Sequence, residues 1–379
     1  MRVSRRGEVD PFIVMDVMEA ARRAEADGRH IVHMEVGQPG TPAPAGARAA
    51  LARAMAGDPL GYTVALGLPA LRERIAGLYA DWYGVQLNPE RVIVTPGSSG
   101  AFILAFTALF DAGDRVGLGE PGYPSYRQIL RALSLQPVGI PTRMENRLQP
   151  VPAEVPDDLA GLIVASPANP SGTMLDRDAM AALIGRAADI GAAFVSDEIY
   201  HGIQYGRRAV SALEISDDVC VINSFSKYFS MTGWRIGWMV VPEAAVRRYE
   251  RLAQNLFICA PHVSQVAALA AMDCDAELQA NVAVYSKNRR LMLEGLPAAG
   301  ITRIAPPDGA FYIYADVGDL TGDSRAFAAE ILRHAGVAVT PGLDFDPHRG
   351  HRMLRFSYAR ATDDIVEGLG RLARFLGRG

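Results

Sequence analysis

Between Val92 and Ile222 the chain repeats one arrangement: a short β-branched or small apolar run, a loop, then a stretch with helical periodicity. No other feature restricts the fold as much. Parallel strands need a crossover between them, and a helix is the usual one. Strands covered on both faces read as unbroken apolar runs rather than alternating ones. Six segments read this way: Val92–Val94, Arg115–Leu118, Gln136–Ile140, Gly161–Ala165, Ala192–Ser196 and Val219–Ile222. Helices are expected at Gly100–Phe110, Ser125–Leu133 and Asp176–Asp189, the last with Asp176 as its N-cap. The implied class is α/β, with a large, doubly wound, mostly parallel sheet.

Beyond about Pro261 the texture changes. Helical pattern runs from His262 to Met272 and from Ala276 to Leu296. Short strands are expected at Ala310–Tyr314, Val337–Val339 and Met353–Ser357, and helices at Ser324–His334 and Thr362–Phe375. This is a smaller α+β unit, on which the N-terminal segment, with a helix near Pro11–Ala26, is expected to pack. The expected division is residues 1–44 packing on the small domain, 45–275 as the large domain and 276–379 as the small one.

A formal net charge of −4 gives no reason to expect nucleic acid or an anionic membrane as partner. The uncharged run from Val92 to Phe110 is broken by Pro96, Gly97 and Gly100, so it reads as strand, loop and buried helix rather than a membrane span. Asp10, Asp16 and Glu19 interrupt any apolar core of a signal peptide. The three cysteines, Cys220, Cys259 and Cys274, show no CxxC spacing and are expected reduced and mostly buried. The protein is expected to be soluble and cytoplasmic.

Of the 38 basic residues only Lys227 and Lys287 are lysines; all others are arginines. Where charge alone is wanted, this sequence writes Arg. Lys227 stands in NSFSKYFSMTGWRIGW, just past the Val219–Ile222 strand. An amine, unlike a guanidinium, can lose its proton when desolvated or set near other cations, and then attack a carbonyl. Ligands in open α/β sheets bind outside the carboxyl ends of the strands. The other strand ends there carry TPGSSGAF, a Gly-Ser turn leading into a helix N-terminus; SPANPSG, with Asn169; and VSDEIY, with Asp197 and Tyr200. Each has a bland reading as turn, cap or surface charge. Together, a phosphate cradle, a strand-end acid and an imine-forming lysine suit pyridoxal phosphate.

The sequence resembles the class I/II aminotransferase family of fold type I pyridoxal phosphate enzymes, from VGQPG at Val36 to LRFSYA at Leu354. The resemblance implies a seven-stranded sheet. It also implies that Lys227 forms the cofactor Schiff base and shuttles the substrate proton, that Asp197 pairs with the pyridinium nitrogen, and that Asn169 and Tyr200 bond the phenolic oxygen. Tyr123 would stack on the ring. Ser98, Ser99, Ser224, Ser226 and Arg235 would hold the phosphate, with Tyr62 reaching it from the neighbouring subunit of a homodimer. Arg355 would bind the substrate carboxylate, beside Gly37 and Asn169. No metal is implied.

The expected activity is amino transfer from an L-amino acid to a 2-oxo acid by a ping-pong mechanism. A C–S lyase or cyclopropane-forming synthase would use the same residues. A regulator's effector domain is disfavoured because few residues precede the large domain. A nucleotide-binding module is disfavoured because neither GxGxxG after a strand nor GxxxxGK[ST] occurs. The substrate side chain's contacts stay open among Tyr126, Arg127, His262 and the turn after Pro39. The approach to the arginine motif, DFDPHRGHRM, is unusually polar and rich in histidine.

Overall fold

The structure, a computed structural model, describes residues 1–378. Its strands are β1 (Val32–His33), β2 (Val92–Thr95), β3 (Arg115–Glu120), β4 (Gln136–Pro141), β5 (Gly161–Ala165), β6 (Ala193–Asp197), β7 (Cys220–Ser224), β8 (Gly237–Val240), β9 (Arg303–Ile304), β10 (Tyr312–Asp316), β11 (Val337–Ala338), β12 (Thr340–Pro341) and β13 (Met353–Ser357). The helices are α1 (Ile13–Ala26), α2 (Ala45–Met55), α3 (Pro69–Tyr83), α4 (Gly97–Leu109), α5 (Pro124–Ala132), α6 (Arg177–Asp189), α7 (Val246–Leu256), α8 (His262–Ala271), α9 (Asp275–Ala298), α10 (Ser324–Glu330) and α11 (Thr362–Phe375).

The large sheet has seven strands in the order β2-β8-β7-β6-β5-β3-β4. All six expected central strands form. The seventh, β8, begins at the last two residues of GWRIGW, continues to Val240, and runs antiparallel to both β2 and β7. Its four residues are too few to declare a period, so the sequence hides it. Alternate residues feed two cores: Leu162 and Val164 of β5 pack into one, Ile163 into the other. Phe102 and Phe106 of α4 fill the second, while Leu183 of α6 fills the first. That two-sided burial is why the strands read as continuous apolar runs.

Asp176 caps α6 as expected, its carboxylate accepting from Ala179 N at 2.8 Å. In the C-terminal third, β12-β13-β10-β9 form an antiparallel sheet, and β1 pairs in parallel with β11. The strand expected at Ala310 starts at Tyr312. Gly309 and Ala310 instead bond across to Gly172 O (2.8 Å) and Ile203 O (2.9 Å), with Ala310 at φ 56°. The helix expected to reach His334 ends as α-helix at Glu330 and continues as a π turn. The cysteines also depart from expectation: all three are free, but only Cys220 is buried. Among the described residues no helix is long and apolar enough to cross a membrane.

Candidate active site

The carboxyl ends of β2, β3, β5, β6 and β7 meet α1 and the small sheet around a cavity of about 280 Å³. Lys227 is carried on the turn after β7, and its Nζ donates to Gly37 O at 2.6 Å. Loss of hydration lowers its pKa from 10.5 to about 8; Arg355 and Arg235 push the same way and Asp197 opposes. Asp197 ends β6 and is buried, which raises its carboxyl to about 6 against the hydrogen bonds from Tyr126 and Ile199 N. Tyr200 bonds Tyr312 through the two hydroxyls at 2.8 Å.

At the other end of the cavity α4 begins. Gly97 sits at φ +72°, and a Cβ there would fall 2.4 Å from the Arg235 guanidinium. Arg235 is itself in the left-handed region and donates to Thr232 O at 2.9 Å. Ser98, Ser99, Ser226, Thr232 and Arg235 all line the cavity at this end. Ser224 stands behind them. Its hydroxyl donates to Ile236 O at 3.0 Å and bonds Ser226 Oγ at 2.7 Å, so it supports Ser226 rather than facing the cavity.

Arg355, on β13, is 2% exposed. Its Nη1 donates to Asn169 Oδ1 at 2.9 Å and its Nη2 to Glu35 O and Thr340 Oγ1. Its Nε is buried without a partner. The guanidinium lies between the rings of Tyr312 (4.4 Å) and Phe345 (4.7 Å). Gly37 admits no side chain, since a Cβ would meet the Tyr312 hydroxyl at 2.0 Å.

These groups fit pyridoxal phosphate. A helix N-terminus with hydroxyls and an arginine suits a dianion. A buried carboxylate suits a pyridinium, an amine of lowered pKa suits the aldehyde, and the ring of Tyr123 lines the cavity beside them.

The model of the family described as aminotransferase class I and II matches residues 29–371. The chain belongs to that family. It is similar to a valine–pyruvate aminotransferase of Mycobacterium tuberculosis, 46% identical over 99% of this chain and 98% of that one. A crystal structure of a Silicibacter pomeroyi protein assigned to the aminotransferases superimposes with a TM-score of 0.95 at 71% identity, covering 100% of both chains. Aspartate aminotransferase of Thermus thermophilus, crystallised with maleate, gives 0.93 at 30% identity over 99% of this chain and 100% of that one. This aminotransferase is accordingly a pyridoxal phosphate enzyme acting on amino and 2-oxo acids, with the aspartate aminotransferase fold.

Of the residues singled out in the sequence, Gly37, Ser98, Ser99, Tyr123, Asn169, Asp197, Tyr200, Ser226, Lys227, Arg235 and Arg355 converge on the one cavity. Tyr62 does not; it is 82% exposed on an outer loop. Of the residues considered for side-chain contact, Arg127 is drawn to Glu120 (3.2 Å) and His262 to Gly61 O (2.9 Å). Tyr126 lines the cavity but spends its hydroxyl on Asp197. Sequence reasoning missed Tyr312, Thr232 and the wall made by Phe12, Val14, Met15, Met18 and Val36. The apolar face of α1 was legible as a helix signal. What that face covers was not.

Proposed function

We propose that this enzyme transfers the amino group of an L-amino acid with a small aliphatic side chain, valine-like, to a short 2-oxo acid such as pyruvate. One observation carries the reading: the cavity wall above the strand ends is Phe12, Val14, Met15, Met18 and Val36. The basic residues lining the cavity are Lys227, Arg235 and Arg355. Arg355 serves the α-carboxylate and Arg235 the phosphate, so this chain offers no further cation for a side-chain carboxylate. The similarity to a valine–pyruvate aminotransferase points the same way.

Bound pyridoxal phosphate supplies a carbonyl that an amino group can join and a ring that draws electrons from Cα. The residues do the rest. Arg355 and Gly37 fix the carboxylate and thereby aim the Cα–H bond. Lys227 would hold the cofactor through its amine, and that Nζ, once free, would take the Cα proton. Its lowered pKa leaves a fraction of neutral amine near neutral pH. Asp197 would keep a proton on the ring nitrogen, and Asn169 and Tyr200 would bond the phenolic oxygen. Ser98, Ser99, Ser226 and Arg235 would hold the phosphate, with Ser224 behind Ser226. Tyr62 reaches that phosphate in a partner copy, so the working form is a homodimer; the exposed Tyr62, Val64, Leu256 and Ile258 are apolar surface suited to such an interface. Three free thiols agree with a cytoplasmic location.

The test is a donor panel with pyruvate as acceptor, following both the oxo acid and ammonia. Valine, isoleucine and leucine should exceed aspartate by at least about tenfold in kcat/KM. Preference for aspartate, or ammonia release without an acceptor, would sink the reading.

A further inference from the structure

The loop from Gly342 to Arg352, unusually polar in the sequence, has no part in the chemistry above, yet its groups tie three pieces of the cavity together. Asp344, 4% exposed, accepts from Ile13 N at 3.0 Å and Val14 N at 3.1 Å. Helix α1 brings no cap of its own, because Phe12 stands at its N-cap. The orphan donors of its first turn are met by a carboxylate from the far end of the chain, placed where the helix dipole favours an anion. Phe345, the next residue, covers the Arg355 guanidinium, and its carbonyl accepts from Gly122 N at 3.1 Å, beside Tyr123. Asp346 holds Arg349 Nε at 2.8 Å, and the Arg349 guanidinium donates to Glu120 O and Thr142 O past the ends of β3 and β4.

We infer that Asp344 is a positioning residue for substrate choice: it docks α1 and so holds Phe12, Met15 and Met18 against the donor's side chain, at a spacing the same loop fixes from Arg355. This rests on the aliphatic-donor reading. The two methyl carbons by which valine exceeds alanine are worth about tenfold in kcat/KM against a formed apolar wall. Alanine, too short to use that wall, is the internal control.

The experiment uses the holoenzyme and its Asp344→Ala and Asp344→Asn variants. It measures kcat/KM for valine and alanine, with amide hydrogen exchange over residues 13–18. In Asp344→Ala exchange should accelerate, and the valine-to-alanine ratio should fall about five- to tenfold, mostly through the KM for valine. Asp344→Asn, which keeps one acceptor, should fall between. A ratio unchanged despite faster exchange would overturn the inference and leave Asp344 structural. Unchanged exchange would overturn it outright. A wild-type enzyme with no preference for valine over alanine would instead remove the donor reading, while exchange still decides whether Asp344 docks α1. Should Asp344→Ala misfold, Asp344→Asn carries the same two readouts.

Discussion

Lys227 lies three residues past β7, where its amine meets Gly37 O and feels both Arg235 and Arg355. Desolvation and two guanidinium groups disfavour the ammonium form, so the neutral amine appears near pH 8 rather than 10.5. In cofactor-free protein, labelling of Lys227 by a small aldehyde should therefore rise as pH climbs through about 8, as peptide mapping against Lys287 would report. A rise only above about 10 would show the amine to be ordinary. Lys227→Ala should lower turnover by several orders of magnitude, measured as oxo acid formed per enzyme. Tyr126 acts on Asp197: its hydroxyl bond opposes the upward push of burial. Tyr126→Phe removes that opposition, so Asp197 should stay protonated to higher pH. If ionised Asp197 pairs with the cofactor as proposed, the acid limb of cofactor binding should move up by about one pH unit.

The N-terminus of α4 and strand β8 jointly make the end of the cavity proposed for the phosphate. Gly97 takes a positive φ so that Arg235 can lie against the first turn, and Gly237 of β8 leaves room for Ser98 N. Replacing Gly97 with Ala strains the backbone and presses a methyl group on the guanidinium. Gly97→Ala should weaken pyridoxal phosphate binding at least about tenfold, read by fluorescence titration, with helix content by circular dichroism preserved. Helices α4 and α6 were legible because a buried strand followed by a glycine turn or an Asp N-cap announces the next helix within a few residues. Strand β8 was not, since its partners β2 and β7 are set by the whole sheet.

In the whole molecule, the large sheet and its helices bring Ser98, Asp197 and Lys227 to the cavity and the C-terminal strands bring Arg355, so neither part holds the complete cavity. The proposed homodimer adds Tyr62. Mixing Lys227→Ala subunits with Tyr62→Phe subunits tests this at molecular scale. A hybrid dimer owns one site with both an intact lysine and an intact tyrosine from opposite chains, so refolded mixtures should exceed either parent in turnover. No gain in mixtures that sedimentation shows to have exchanged would place Tyr62 outside the site.

By itself the sequence determined the sheet, most of its strands and the polar residues at their ends. Local chemistry carries those: apolar runs, turn residues, and a lysine retained where arginine is the habit. The tertiary structure alone decided which surface α1 covers, that Tyr126 serves Asp197, and that Asp344 caps a helix some 330 residues before it. Each of these joins groups distant in the chain, and a hydrogen bond of that kind leaves no spacing in the sequence. It is set by how elements far apart in the chain pack together, a matter of many weak contacts rather than of any motif.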